Sequence, residues 1–209
     1  MQPGGIAAMT VSATAFFELV RPRRMDCWGD YGSILRDGMF HSEEQRLDRT
    51  GPFVSPISFP GLDGAVIVTG TARQKLEASG LSGVGEFRPV LLGKVVRIDW
   101  HKWDRHRHLE REQYPFNGEP EEYILHNPHD PATASQVEPL WTWHPLRIGK
   151  VLRKKGVMRL EGIMGRHDVF RLCDAGWRCI IVNERGMECV KDICGDWVAF
   201  DRIENQIVS

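Results

Sequence analysis

Seven of the eight histidines lie between residues 99 and 178. His101, His106 and His108 come first, then His126, His129, Asp130 and His144. Imidazole and carboxylate groups bind Zn and similar ions, so a metal-dependent hydrolase could be built from this set. The spacing argues against it. His106-x-His108 suits one strand face but has no third ligand at a fixed offset, and HNPHD fits no metal-binding pattern. HExxH and the EF-hand loop are both absent. A GxSxG nucleophile elbow is absent too. The five cysteines (Cys27, Cys173, Cys179, Cys189, Cys194) are odd in number and form no CxxC pair. They read as buried free thiols in a reducing compartment. Gly80-x-x-Gly83-x-Gly85 follows a helical stretch, not a strand, so it reads as a turn and not as a dinucleotide-type phosphate cradle. The expectation is a protein without catalytic residues, metal or cofactor.

The basic run Arg147, Lys150, Arg153, Lys154, Lys155 and Arg159 could meet the phosphates of a nucleic acid. Leu146, Ile148, Val151, Leu152, Val157 and Leu160 interleave with it, as in a strand pair with one wet face. The overall balance weighs against nucleic acid: 27 basic and 28 acidic side chains in 209 residues give a net charge of -1. Charge is nevertheless segregated. The segment from Glu110 to Glu138 is mostly acidic, and it follows Trp100 and Trp103. Opposed fields of this kind can steer a charged partner.

The elements that must hold these groups can be read from punctuation and periodicity. Residues 1–14 read as a flexible lead-in without the basic region of a signal peptide, with Met9 an alternative start. No apolar run approaches a membrane span of about 18–20 residues. The expected location is the cytoplasm. Residues 15–21 read as a strand. Ala65–Val68 is a strand, Thr69 or Thr71 caps a helix, Gly80 closes it, and residues 83–98 return as strand with Pro89 near an edge. Cys179–Val182, Asn183 and Gly195 repeat that plan around a Met187/Val190/Cys194 stripe, and residues 197–203 return as strand. Phe87 and Phe200 fall in similar places. The likeness is either an internal repeat or two copies of a common small unit. The expected fold is α+β: a mixed, largely antiparallel sheet with two short helices, near 71–79 and 184–194, and long loops over 22–64 and 110–145. Residues 15–209 should form one compact domain, with two similar halves at 15–98 and 99–209 as the alternative division.

The stretch GAVIVTGTARQKLEASGLSGVGEFRPVLL resembles a module of bacterial polymorphic-toxin immunity proteins, related to the double-CXXCG-motif proteins of myxobacteria. Asp168-Val169-Phe170-Arg171-Leu172 and CIIVNERGMECV resemble the second half of the same proteins, and Leu47-x-Arg49-x-Gly51-Pro52-Phe53 their linking loop. Both CXXCG motifs are missing here, so no metal is carried over. The resemblance implies a cytoplasmic protein that blocks a cognate toxin by covering its active or substrate surface. Delivery of the toxin would be by a contact-dependent or type VI route. The expected partner-binding residues are Trp100, Trp103, Asp104, Glu110, Glu112, Glu119, Glu121 and Glu122.

Overall fold

The computed structural model describes residues 15–22, 37–60, 65–97, 124–148, 150–154, 157–161, 167–174 and 177–203. The fold is α+β. Helix α1 (Gly70–Ala78) starts at Thr69, whose Oγ1 accepts from Ala72 N at 3.2 Å. Thr71, the other candidate cap, donates to Glu138 Oε2. Helix α2 (Pro131–Ala134) is a single turn, and α3 (Glu184–Cys194) is capped by the Asn183 side chain. Gly80 and Gly195 follow the helices with positive φ, as a helix-stop glycine should.

Two main sheets carry these helices. One is wholly antiparallel, in the order β10 (Val169–Asp174), β11 (Trp177–Asn183), β1 (Phe16–Val20), β12 (Ala199–Arg202). The other runs β2 (Met39–His41), β3 (Arg46–Thr50), β6 (Glu86–Val96), β7 (Leu140–His144), β5 (Ile67–Thr69), β4 (Ile57–Ser58). Among its pairs only β3 with β6 is parallel. Strands β8 (Lys150–Lys154) and β9 (Val157–Glu161) form a separate hairpin, the strand pair expected for the basic run.

The two strand–helix–strand units match in register. β5 and β6 flank β7, antiparallel to both, and α1 connects them; β11 and β12 flank β1 in the same way, connected by α3. With Thr69 set against Asn183, Val66 and Val68 correspond to Ile180 and Val182, and Leu76 to Val190. All six lie in one core cluster. The middle strands agree as well: Val68 pairs Trp141 and Val182 pairs Phe17, while Phe87 pairs Trp143 and Phe200 pairs Leu19. Ile57 on β4 and Val169 on β10 take equivalent outer positions and are both buried in that core. The alternate residues Ile67 and Ile181 face away, into two other clusters. Helices α1 and α3 pack on each other, so each unit closes the other's apolar face.

This arrangement changes two expectations. The units do not divide at residue 98, because β1 serves the C-terminal unit and β7 the N-terminal one. The stretch 22–64 is also not loop throughout. Its described part contains β2, β3 and β4. Strand β3 carries buried polar groups that hydropathy reads as loop. Asp48 accepts from Arg46 Nη1, His41 Nε2 and, where a bulge in β6 brings it round, the Lys94 backbone N. A Cβ on Gly93 would lie 2.1 Å from Asp48 Oδ1, so any other residue there would displace the carboxylate from its partners. Arg49 is fully buried and donates to the carbonyls of Thr50, Gly51 and Phe53, holding the turn after β3. Burial pushes its guanidinium down to about 10, against the opposing pull of Asp37, and leaves it charged at neutral pH. Similarly, 124–144 contains α2 and β7 as well as loops. Pro89 fits its place. β3 pairs with β6 only from Leu91 onward, so Pro89 has β7 on one side and no named strand on the other.

Asp168 joins the units. Its Oδ2 accepts from Ser82 N (2.8 Å), Ser82 Oγ (2.9 Å) and Arg185 Nη1 (2.9 Å), and its Oδ1 from Asn183 Nδ2 (3.0 Å). Ser82 belongs to the turn after α1, and Asn183 and Arg185 to the start of α3. Here the glycine-rich turn has its purpose: a Cβ on Gly83 would lie 2.0 Å from Val169 O. Burial alone would raise the Asp168 carboxyl, but the Ser82 N–H, the Asn183 amide, the Ser82 hydroxyl and Arg185 together hold it below its ordinary 3.8. Asp48 is held low in the same way, by the Lys94 N–H, Arg46 and His41 against its burial. A carboxyl lowered in the folded state stabilises above its unfolded value and loses that contribution as pH falls through the folded one. Urea unfolding should therefore show stability declining below about pH 4. Asp168→Asn should cost about 2–3 kcal/mol at pH 7 and flatten that decline. An unchanged midpoint at pH 7 would remove Asp168 from this role.

Candidate functional site

The eight expected partner-binding residues, Trp100 to Glu122, lie outside the described residues, as do His101, His106, His108 and Cys27. The remaining members of the histidine set are dispersed. His129 Nδ1 accepts from Val95 N at 3.1 Å. Asp130 caps α2 by accepting from Ala132 N and Thr133 N. His126 is exposed, at the end of the short turn 124–126 whose Ile124 is buried. Among the described residues no three of His, Cys, Asp and Glu gather into a group that could hold a metal. Cys179 and Cys194 are buried, and Cys189 is half-buried. Burial pushes the Cys194 thiol up to about 12, which leaves it unreactive. No helix among the described residues is long and apolar enough to cross a membrane.

Two constellations remain. The first is a surface. Alternation along β6 puts Phe87, Pro89 and Leu91 on one face. Pro89 pairs with Trp141 of β7, and Arg73 of α1 lays its guanidinium 3.8 Å from the centroid of the Trp141 ring. The same guanidinium is 5.8 Å from the Phe87 centroid and bonds Glu77 one turn along the helix at 2.9 Å. Phe87 stacks in turn on Trp143, with centroids 6.2 Å apart, and Trp143 Nε1 donates to Val84 O. Arg73 is thus held flat on an aromatic base. Beyond it, Leu91 is 63% exposed. Arg and Trp are residue types that anchor protein interfaces, and Leu91 adds uncovered apolar area beside them.

The second is a narrow cleft, with a cavity volume of about 50 Å3, where the sheets meet. Its floor includes Phe40, Val66, Trp143 and Ile180, and its polar wall Gln45, Thr142, His144 and Arg171. These polar groups form a chain. Arg171 Nη1 lies 3.3 Å from His144 Nδ1, His144 Nε2 is 2.9 Å from Thr142 Oγ1, and Thr142 Oγ1 is 3.3 Å from Gln45 Oε1. Gln45 Nε2 ends it by donating to Ser42 O at 2.7 Å. A guanidinium has only donors, so His144 Nδ1 must accept and the proton must sit on Nε2. The Thr142 hydroxyl then gives its one proton either to Gln45 Oε1 or to the Arg88 carbonyl, 3.4 Å away.

The expected set included His144 only as a metal ligand, and it did not include Arg73, Gln45, Leu91, Trp141, Thr142 or Arg171. The Arg73/Glu77 spacing and the Trp-x-Trp of β7 were the available signals for the surface. No protein-family model, curated protein or solved structure matches this chain.

Nitrogen-15 NMR of the imidazoles should find His144 as the neutral Nε2–H tautomer at neutral pH. An Nδ1–H tautomer would contradict the donor chain.

Proposed function

We propose that the protein binds another protein and transforms no substrate itself. On this reading it is an immunity protein that neutralises a bacterial toxin acting in the cytoplasm, by covering the toxin's active or substrate surface. The observation that carries the reading is the Arg73–Trp141 stack beside exposed Leu91. The resemblance to polymorphic-toxin immunity proteins supports it from another direction. The motif stretches that bear that resemblance fold as β5–α1–β6 and as β10, β11 and α3, the parts of the molecule that share one core.

Mechanically, the surface suits occlusion. Trp141 and Arg73 lose little conformational freedom on binding because both are already packed. A complex of standard size buries roughly 1,200–2,000 Å2 in total, which this face would share with neighbouring segments. The acidic segment holding Glu110, Glu112, Glu119, Glu121 and Glu122, next to Trp100, Trp103 and Asp104, would add the charge that speeds encounter with a basic cleft.

The test is co-expression with the product of the adjacent gene. The expected result is a complex that survives purification and protection of the host cell. Leu91→Asp should weaken the complex tenfold or more with no change in Tm, because the side chain is uncovered in the free protein. Absence of both complex and protection would overturn the proposal.

A further inference from the structure

The sequence leaves the likeness of the two units open: an internal repeat, or one common plan met twice. A common plan accounts for two parallel strands, the helix between them and an antiparallel strand inserted in the pair. It does not account for what else they share. Both units carry a fourth, antiparallel strand on the same side, β4 beside β5 and β10 beside β11. The registers also agree. Ile57↔Val68, Val68↔Trp141, Phe87↔Trp143 and Pro89↔Trp141 in one unit correspond to Val169↔Val182, Val182↔Phe17, Phe200↔Leu19 and Arg202↔Phe17 in the other. A slip of two residues in any pair would keep every side chain on its proper face, so the buried pattern alone does not enforce this agreement.

Spacing along the chain matches as closely. Ile57, Thr69 and Phe87 stand 112, 114 and 113 residues ahead of Val169, Asn183 and Phe200. The caps work alike: Thr69 and Asn183 each accept from the backbone N–H three residues on, Ala72 at 3.2 Å and Gly186 at 2.8 Å. One element breaks the order. β7 follows β6, whereas β1 precedes the rest of its unit. Yet the end of β12 lies against the start of β1. Ile203 N donates to Phe16 O at 2.9 Å, and Arg202 pairs with Phe17. A connection there would carry β12 into an antiparallel β1, as the chain carries β6 into an antiparallel β7.

We infer that the molecule is an internal repeat in circularly permuted order. Its two copies are β4-β5-α1-β6-β7 and β10-β11-α3-β12-β1, the second with its last strand placed ahead of the first copy. The packing of α1 on α3, with Leu76 and Val190 in one core, is then a contact between like faces of two copies of one unit. Strands β2 and β3 and the β8–β9 hairpin are additions, with no counterpart in the other copy among the described residues. The inference rests on pairings and spacing, so its fate is separate from that of the immunity reading.

The test is a permutant of the full chain, with residue 209 joined to residue 1 and the chain opened between Asp30 and Tyr31. This puts β1 behind β12 and makes both copies continuous. The permutant should keep the near-ultraviolet circular dichroism of the natural chain. It should also refold at least about threefold faster, because β1 now pairs with strands close to it in sequence. A second variant decides the matter if opening the chain prevents folding. Phe16→Asp with Leu19→Asp disables β1 in its natural place, since both side chains are buried. A further copy of residues 15–22 is then added behind residue 209. The substitutions alone should lower Tm, and the added copy should restore it. The inference is overturned if a folded permutant refolds no faster, or if the added copy restores nothing.

Discussion

One carboxylate connects the parts of this molecule. Asp168 precedes β10, yet its oxygens take their protons from the turn after α1 and from the first residues of α3. Few groups could do this. A neutral side chain lacks the acceptor capacity, and a longer one would not fit where Gly83 and Gly186 let the backbones approach. Of its bonds, the one from Arg185 contributes least, since that side chain is 62% exposed and its charge is screened. The Ser82 and Asn183 bonds are short-range and part-buried. They fix the relative position of the two helices, and with it the rigidity of the sheet surface that α1 flanks and the width of the cleft between the sheets.

The equivalence of the two units explains why one clamp suffices. Each is a parallel pair of strands joined by a helix, with an antiparallel strand inserted between. In one unit the inserted strand, β7, follows the pair in sequence, and in the other, β1, it precedes it. Neither unit is continuous in the chain, and neither can bury Val68 and Leu76, or Val182 and Val190, without the other. Folding must assemble both together, which is costly in chain entropy and well suited to a rigid binding body.

Some of this was legible in the sequence and some was not, for definite reasons. Thr69 and Gly80, and Asn183 and Gly195, bracket helices that differ from the expected spans by at most a residue. Caps are local chemistry, and local chemistry is readable. The shared plan of the two units was also visible, though not the exchange of β1 and β7, which is a long-range pairing. Strand β3 was hidden because Arg46-Leu47-Asp48-Arg49-Thr50 buries ions that find their partners only in three dimensions. Asp130-Pro131 carried a readable helix start, a capping Asp followed by a first-turn proline, beneath the more conspicuous histidines. The cleft could not be read at all. Gln45, Thr142 and Arg171 are distant in sequence, and each is unremarkable alone.

The central claim is that the face built from α1 and the first half of β6 lies against another protein. Hydrogen–deuterium exchange with and without the adjacent gene's product addresses that face directly. The account predicts slowed exchange across 71–78 and 86–91 when the partner is present. Slowed exchange elsewhere, with those two stretches unchanged, would contradict it.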